Sequence, residues 1–206
     1  VTRNSVEIIR RASFVVKAGE AVGLCGTAGS GKTTLLLALA GIIPSTGGEV
    51  LMDGQCVTSW PVHKRARAGI RLGAPSVTLV AGLTVKEHLR LASLFAPGSR
   101  EMSLAGLFRE RLNSRAGQLS GGMQRVLTTW IALQAQPRVL LVDDIAEGLQ
   151  PSIIEAVLSG LREAKRLGAA LVLVDRSMGV LEQVCDFLVR VDDGQTDVPV
   201  LATTKK

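Results

Sequence analysis

Eight residues carry the clearest chemical pattern in this chain: Gly26-Thr27-Ala28-Gly29-Ser30-Gly31-Lys32-Thr33. The spacing is GxxxxGK[ST]. It sits where that pattern is informative, after the apolar run Glu20 to Cys25 and before the Leu- and Ala-rich stretch Lys32 to Ala40. The glycines allow successive backbone N–H groups to converge on phosphate oxygens, and a helix opening near Lys32 adds the positive end of its dipole. Lys32 would bridge the β and γ phosphates, and the Thr33 hydroxyl would bind Mg²⁺. The alternative, a chance glycine turn, does not explain the strand before it and the helix after it.

Two further segments join this loop. Val139-Leu140-Leu141-Val142-Asp143-Asp144 is an apolar strand ending in an acidic pair, which places Asp143 beside the same Mg²⁺. A strand ending in Asp is common, and its weight comes from lying a domain's length downstream of a phosphate loop. Leu119-Ser120-Gly121-Gly122-Met123-Gln124 is a flexible turn feeding a helix N-terminus, which is either a second anion site or an ordinary helix start.

Together the three segments resemble the ATP-binding cassettes of ABC transporters, in which LSGGxQ is the signature motif. The resemblance runs from about Val6 to Val191. Ala116-Gly117-Gln118 and Gly148-Leu149-Gln150-Pro151 look most like the cassettes of branched-chain amino acid importers. It implies a P-loop NTPase fold of the α/β class, with a mostly parallel central sheet, a small antiparallel β subdomain and an inserted helical signature subdomain. It implies a head-to-tail dimer with a second cassette. Each ATP would lie between one subunit's Gly26 to Thr34 and its partner's Ser120, Gly121, Gly122 and Gln124. It also implies a transmembrane permease driven from the cytoplasmic face of the membrane, with no direct contact to nucleic acid.

Four positions depart from the family pattern. The catalytic glutamate after the metal-binding aspartate is Asp144, one methylene shorter, and a base must come within about 2.6–3.2 Å of the attacking water. The loop glutamine expected before Leu83-Thr84-Val85 falls at Pro75 or a neighbour, and no Gln occurs between Gln55 and Gln118. The switch histidine falls at Arg176, in Asp175-Arg176-Ser177-Met178. The adenine-stacking aromatic aligns with Arg3, whose planar guanidinium can also stack on a base. The helical segment between Phe95 and Leu112 is also short. Two functions therefore stand side by side: an active transporter ATPase, with Lys32 and Asp144 as its catalytic groups, and a degenerate half that binds ATP, turns it over slowly and pairs with a competent cassette.

These groups need a framework to hold them. The chain of 206 residues suits one ATP-binding domain with a helical subdomain at about 76–136. Hydrophobic residues make up 47%, charged 20% and aromatic 3%, so the core is built from Leu, Val, Ile and Ala rather than rings. Strands are expected within Val6 to Val16 and at Glu20 to Cys25, Glu49 to Met52, Gly69 to Leu72, Arg138 to Val142, Ala169 to Val174, Phe187 to Val191 and Val198 to Ala202. Helices are expected at Lys32 to Ala40, Thr84 to Ala96, Met102 to Leu112, Met123 to Gln134 and Ser152 to Leu167. Thr84 and Glu87 have capping-box spacing, and Pro97-Gly98 should end that helix.

The net charge of +6 is scattered, with one cluster at His63 to Arg67 that reads as a solvated face. His63 and His88 are both expected at the surface. Cys25, Cys56 and Cys185 lack metal spacing, and the first and last read as core residues. No run of about 18 apolar residues spans a bilayer, and the N-terminus lacks the apolar region of a signal peptide. A soluble cassette protein acting on DNA or the ribosome would need coiled-coil insertions or tandem cassettes. A small-molecule kinase would not need LSGGMQ.

Overall fold

The computed structural model describes residues 1–3, 6–75, 77, 79–94 and 105–202, and for Thr2, Arg3, Val6 and Ala105 the backbone alone. Its strands are β1 (Thr2–Arg3), β2 (Val6–Glu7), β3 (Ala21–Cys25), β4 (Leu51–Met52), β5 (Gln55–Cys56), β6 (Ile70–Gly73), β7 (Val139–Asp143), β8 (Ala170–Val174), β9 (Phe187–Asp192), β10 (Gln195–Thr196) and β11 (Val200–Leu201). The helices are α1 (Lys32–Ala40), α2 (Val62–Arg67), α3 (Val85–Ser93), α4 (Ala105–Phe108), α5 (Gly121–Gln134), α6 (Pro151–Arg166) and α7 (Met178–Leu181).

The apolar runs at β3, β7 and β8 are buried along both faces, as central strands of a parallel sheet must be. The sheet runs β9-β3-β8-β7-β6 in parallel, and both β10 and β11 pair antiparallel with β9. Alternate side chains go to opposite faces. Val22, Leu24, Leu141, Val172 and Val174 meet Leu35 and Leu36 of α1. Leu140, Val142, Leu171 and Leu173 meet Val126 and Leu133 of α5 and Leu158 and Leu161 of α6. Phe108 stacks on Trp130 with centroids 5.3 Å apart, one ring pair in a core otherwise aliphatic.

Between β6 and β7 the described residues form helices and no strand, as expected. The capping box of α3 is present: Thr84 accepts from the Glu87 N–H, and Glu87 accepts from the Thr84 N–H at 2.7 Å. The expected end of that helix at Pro97-Gly98 lies outside the described residues, as does the start of the Met102 to Leu112 helix. The latter's described part is α4 followed by a 3-10 turn at Arg109–Arg111.

Within Val6 to Val16 one short strand forms, β2, which pairs antiparallel with β1, and Arg11 makes an isolated bridge to Gln195. Two expectations are corrected. Arg65 is 2% exposed, not part of a solvated face. It folds under α1 and donates to the carbonyls of Ala38, Leu39, Thr58 and Trp60, which satisfies the negative end of that helix. His88 is buried on the inner side of α3. Its Nε2 accepts from the Val80 N–H at 3.1 Å and its Nδ1 lies 2.9 Å from the Thr84 carbonyl, so both ring nitrogens are bonded.

Candidate functional site

Because β3, β8 and β7 are parallel neighbours in register, their C-terminal ends lie side by side: Leu24 pairs with Val174, and Val174 with Asp143. Ligands of open α/β sheets bind outside such ends. Three turns converge there: the glycine-rich loop after β3, the acidic pair at the end of β7, and Asp175-Arg176 after β8.

The loop is wound by glycine. Gly26 has φ +143°, and a Cβ there would collide with the Val191 carbonyl, so the turn off β3 admits no side chain. Thr27, Ala28 and Gly29 are exposed, whereas Ser30 and Gly31 are buried. Lys32 opens α1 and is 8% exposed. Its ammonium donates to the carbonyls of Gly26 at 2.9 Å and Thr27 at 2.7 Å, and to Ser30 Oγ at 3.3 Å. Burial pushes its pKa below the usual lysine value, and the charge of Asp143 opposes that shift. The ammonium is thus fixed at the loop by neutral oxygens, with a carboxylate near. Thr33 is exposed and Thr34 half-buried on the same first turn.

Asp143 is 5% exposed, faces the Thr33 side chain, and leaves its Oδ1 without a partner among the described residues. Burial raises its pKa above the usual carboxylate range, and the neighbouring Asp144 charge adds to the shift. A buried, unpartnered carboxylate oxygen beside a threonine hydroxyl suits a divalent cation. Among the described residues no cluster of three or more His, Cys, Asp or Glu side chains could hold a metal, so such a cation would take its other ligands from phosphate and water, as Mg²⁺ does. Asp144 is half-buried in the left-handed region at φ +53°, which tilts it out of line with β7. Burial and then the charge of Glu147 raise its pKa, while Arg176 opposes them.

The signature turn begins earlier than expected. α5 starts at Gly121 rather than Met123, so Gly121 and Gly122 lie in its first turn, with their N–H groups among the unbonded ones of a helix start. Ser120 is the N-cap and accepts from the Met123 N–H at 3.3 Å. A Cβ on Gly122 would strike Leu149. The Gln124 amide is turned inward, donating to the carbonyls of Ala116 and Leu119, so it braces the turn. Ser120 and Gly122 border a pocket with Arg109, Gly148 and Gln150 that no residue of 26–34 lines.

Pro75 lies just past β6 and is exposed. The Arg3 side chain lies outside the described residues. Two residues that the motif patterns did not single out join the site. Asp175 is buried and accepts from the N–H groups of Ala146 and Ser177, both at 2.8 Å. Glu147 contacts both Arg125 and Arg176. An Asp closing the apolar run Ala169 to Val174 is the one sequence signal for the first. Nothing local marks the second.

This sheet, loop and acidic strand end define a P-loop nucleoside triphosphatase fold. The sequence profile of the ABC transporter family matches residues 9–147, and the chain belongs to that family. It is 31% identical to the xylose import ATP-binding protein XylG of Pseudomonas fluorescens (strain Pf0-1), over 94% of this chain and 40% of that protein. It is 28% identical to the high-affinity branched-chain amino acid transport ATP-binding protein BraG of Pseudomonas aeruginosa, over 92% of this chain and 84% of that one. The chain thus spans about two fifths of the xylose-import relative. A solved structure described as the ATP-binding subunit of an ABC transporter superposes with a TM-score of 0.82 at 27% identity, over 97% of this chain and 85% of that chain. Among the described residues no helix is long and apolar enough to cross a membrane.

Proposed function

We propose that this chain binds and hydrolyses MgATP as the cassette of an ABC transporter. It pairs head to tail with a second cassette and drives a membrane permease from the cytoplasmic face, without touching nucleic acid. The reading takes 1–206 as one ATP-binding domain with a helical subdomain at about 76–136. The observation that carries it is the convergence of Lys32, Thr33 and the unpartnered Oδ1 of Asp143 at the ends of neighbouring strands.

In this reading the N–H groups of 27–34 and the Lys32 ammonium bind the phosphates, and Thr33 and Asp143 hold Mg²⁺. Bound there, Mg²⁺ offsets the charge of the β- and γ-phosphate oxygens. Asp144 accepts the proton of the attacking water as its oxygen bonds the γ phosphorus and the bond to the bridging oxygen breaks, leaving ADP and phosphate. The raised pKa of Asp144 favours that proton transfer. Arg3 stacks on adenine. Ser120, Gly121 and Gly122 grip the partner's γ-phosphate, with Gln124 bracing them. The signature pocket shares no lining residue with the chain's own loop, which supports a ligand supplied by a second subunit. The segments around the signature resemble those of branched-chain amino acid importers, which supports a place among transport cassettes.

The test is phosphate release from purified protein with MgATP beside Lys32→Ala. The reading expects turnover that the substitution abolishes; turnover unchanged by it rules the reading out. The short Asp144 side chain favours a second reading, a half-site that binds nucleotide and turns over slowly beside a competent cassette. Asp144→Glu then raises the rate, and no rise turns the argument against that residue as the limit.

A further inference from the structure

Glu147 lies in the turn after β7, three residues beyond Asp144. Its Oε2 accepts from Arg125 Nη1 at 3.3 Å, and its Oε1 lies 3.3 Å from Arg176 Nη1. One carboxylate thus holds cations from two other elements: Arg125 from the start of α5, five residues past Ser120, and Arg176 from the turn after β8. Asp175 joins the same two turns through backbone N–H groups, in a buried tie that no charged ligand can replace. The Glu147 tie is of another kind. The Arg176 side chain is 69% exposed and that of Glu147 42%, so the pair is weak and open to competition. Arg176 also stands within electrostatic range of both Lys32 and Asp144. A triphosphate seated on Lys32 brings several negative charges into the field of a cation held by a single carboxylate oxygen.

We propose that Glu147 is a positioning residue that holds Arg176 away from the nucleotide site and Arg125 on the signature helix, and that the terminal phosphate of ATP draws Arg176 off it. Nucleotide binding in one subunit then reaches that subunit's own signature turn: Glu147, relieved of one cation, closes on Arg125 alone. The Asp175 tie keeps the two turns together while the arginine moves. This inference rests on the nucleotide-binding reading above and deepens it. It adds a link within one chain between the loop that binds its own ATP and the turn offered to the partner's.

The experiment measures equilibrium affinity of the whole chain for MgADP and for the Mg²⁺ complex of the non-hydrolysable imido analogue of ATP. It compares wild type, Glu147→Gln, Arg176→Ala, Arg176→Lys and the Glu147→Gln/Arg176→Ala double variant, with Lys32→Ala as the non-binding control. Glu147→Gln is expected to tighten the triphosphate analogue up to about fivefold, the factor that matches about 1 kcal/mol for an exposed ion pair. MgADP affinity should change far less. Arg176→Ala should weaken the analogue selectively, Arg176→Lys should restore part of the loss, and in the Arg176→Ala background Glu147→Gln should have no further effect. Equal tightening of both nucleotides, or tightening that persists without Arg176, would mean that Glu147 only repels anions, and the latch is overturned. Wild type that binds neither nucleotide sinks the nucleotide-binding reading itself, and the latch with it; wild-type binding with unaltered Glu147→Gln sinks the latch alone.

Discussion

Replacing Asp143 by Asn should make the metal-free protein more stable while removing its Mg²⁺-dependent nucleotide binding. The carboxylate is 5% exposed, its Oδ1 has no partner among the described residues, and Asp144 stands beside it. A buried polar atom left unbonded costs about 1–3 kcal/mol, and a charged one more. The Asn amide removes the charge, but its own N–H groups need partners. A net gain of about 1–2 kcal/mol follows, which for a chain of this size is about 2–4 °C of Tm per kcal/mol. Thermal unfolding of both proteins in EDTA at neutral pH measures it.

The pH dependence gives an independent check. The folded-state pKa of Asp143 is raised, so the folded wild type binds that proton more tightly than the unfolded chain does. Wild-type stability rises as pH falls from the raised pKa toward the ordinary aspartate value, and the advantage of Asp143→Asn shrinks over that window. With excess Mg²⁺ and ATP the order should invert, because only the wild type gains binding energy. If Asp143→Asn is the less stable protein in EDTA, the polar groups around the carboxylate, Thr33 among them, outweigh the burial, and the argument that this carboxylate is held ready for a cation fails.

Other outcomes follow from single contacts. Arg65→Met leaves the carbonyls of Ala38, Leu39, Thr58 and Trp60 without their donor, and should lower stability by about 3–5 kcal/mol in denaturant titrations; a loss below about 1 kcal/mol would show that the site refills with other donors. The N–H and hydroxyl of Thr84 hold the Glu87 carboxyl below the usual carboxylate range. The stability this adds to α3 is present above the ordinary glutamate pKa and is lost as pH falls through the depressed one, so Glu87→Gln should flatten that part of the acid-unfolding profile. Gly26→Ala should abolish nucleotide binding measured by equilibrium dialysis, since its Cβ meets the Val191 carbonyl where the loop leaves β3; retained affinity would show that the turn can shift.

Much of this was legible in the sequence, because it rests on short-range patterns. A buried parallel strand reads as an apolar run whatever its partners, so β3, β7 and β8 were found to within a residue or two. The loop at 26–33 identifies itself because phosphate binding needs glycines and a lysine at fixed spacing. The α3 cap was visible because both its partners lie within four residues. What the sequence left open involves partners far apart along the chain. Val6 to Val16 has strand composition, but strand formation needs a neighbour, and among the described residues the fold supplies one only to Val6–Glu7, through β1, and to Arg11, through Gln195. Arg65 and His88 look like surface residues by type. They are buried because the carbonyls at the end of α1 and the N–H of Val80 come to meet them, which local spacing cannot reveal. The helix start at Gly121 and the inward turn of Gln124 depend on carbonyls of the preceding turn. The pairing of Glu147 with Arg125 and Arg176 joins three segments through the parallel order of β7 and β8. The sequence by itself thus determined which groups can bind phosphate, because that chemistry is written in consecutive residues. Only the tertiary structure decided how those groups are held, because a charge or an orphaned carbonyl finds its partner through space and not along the chain.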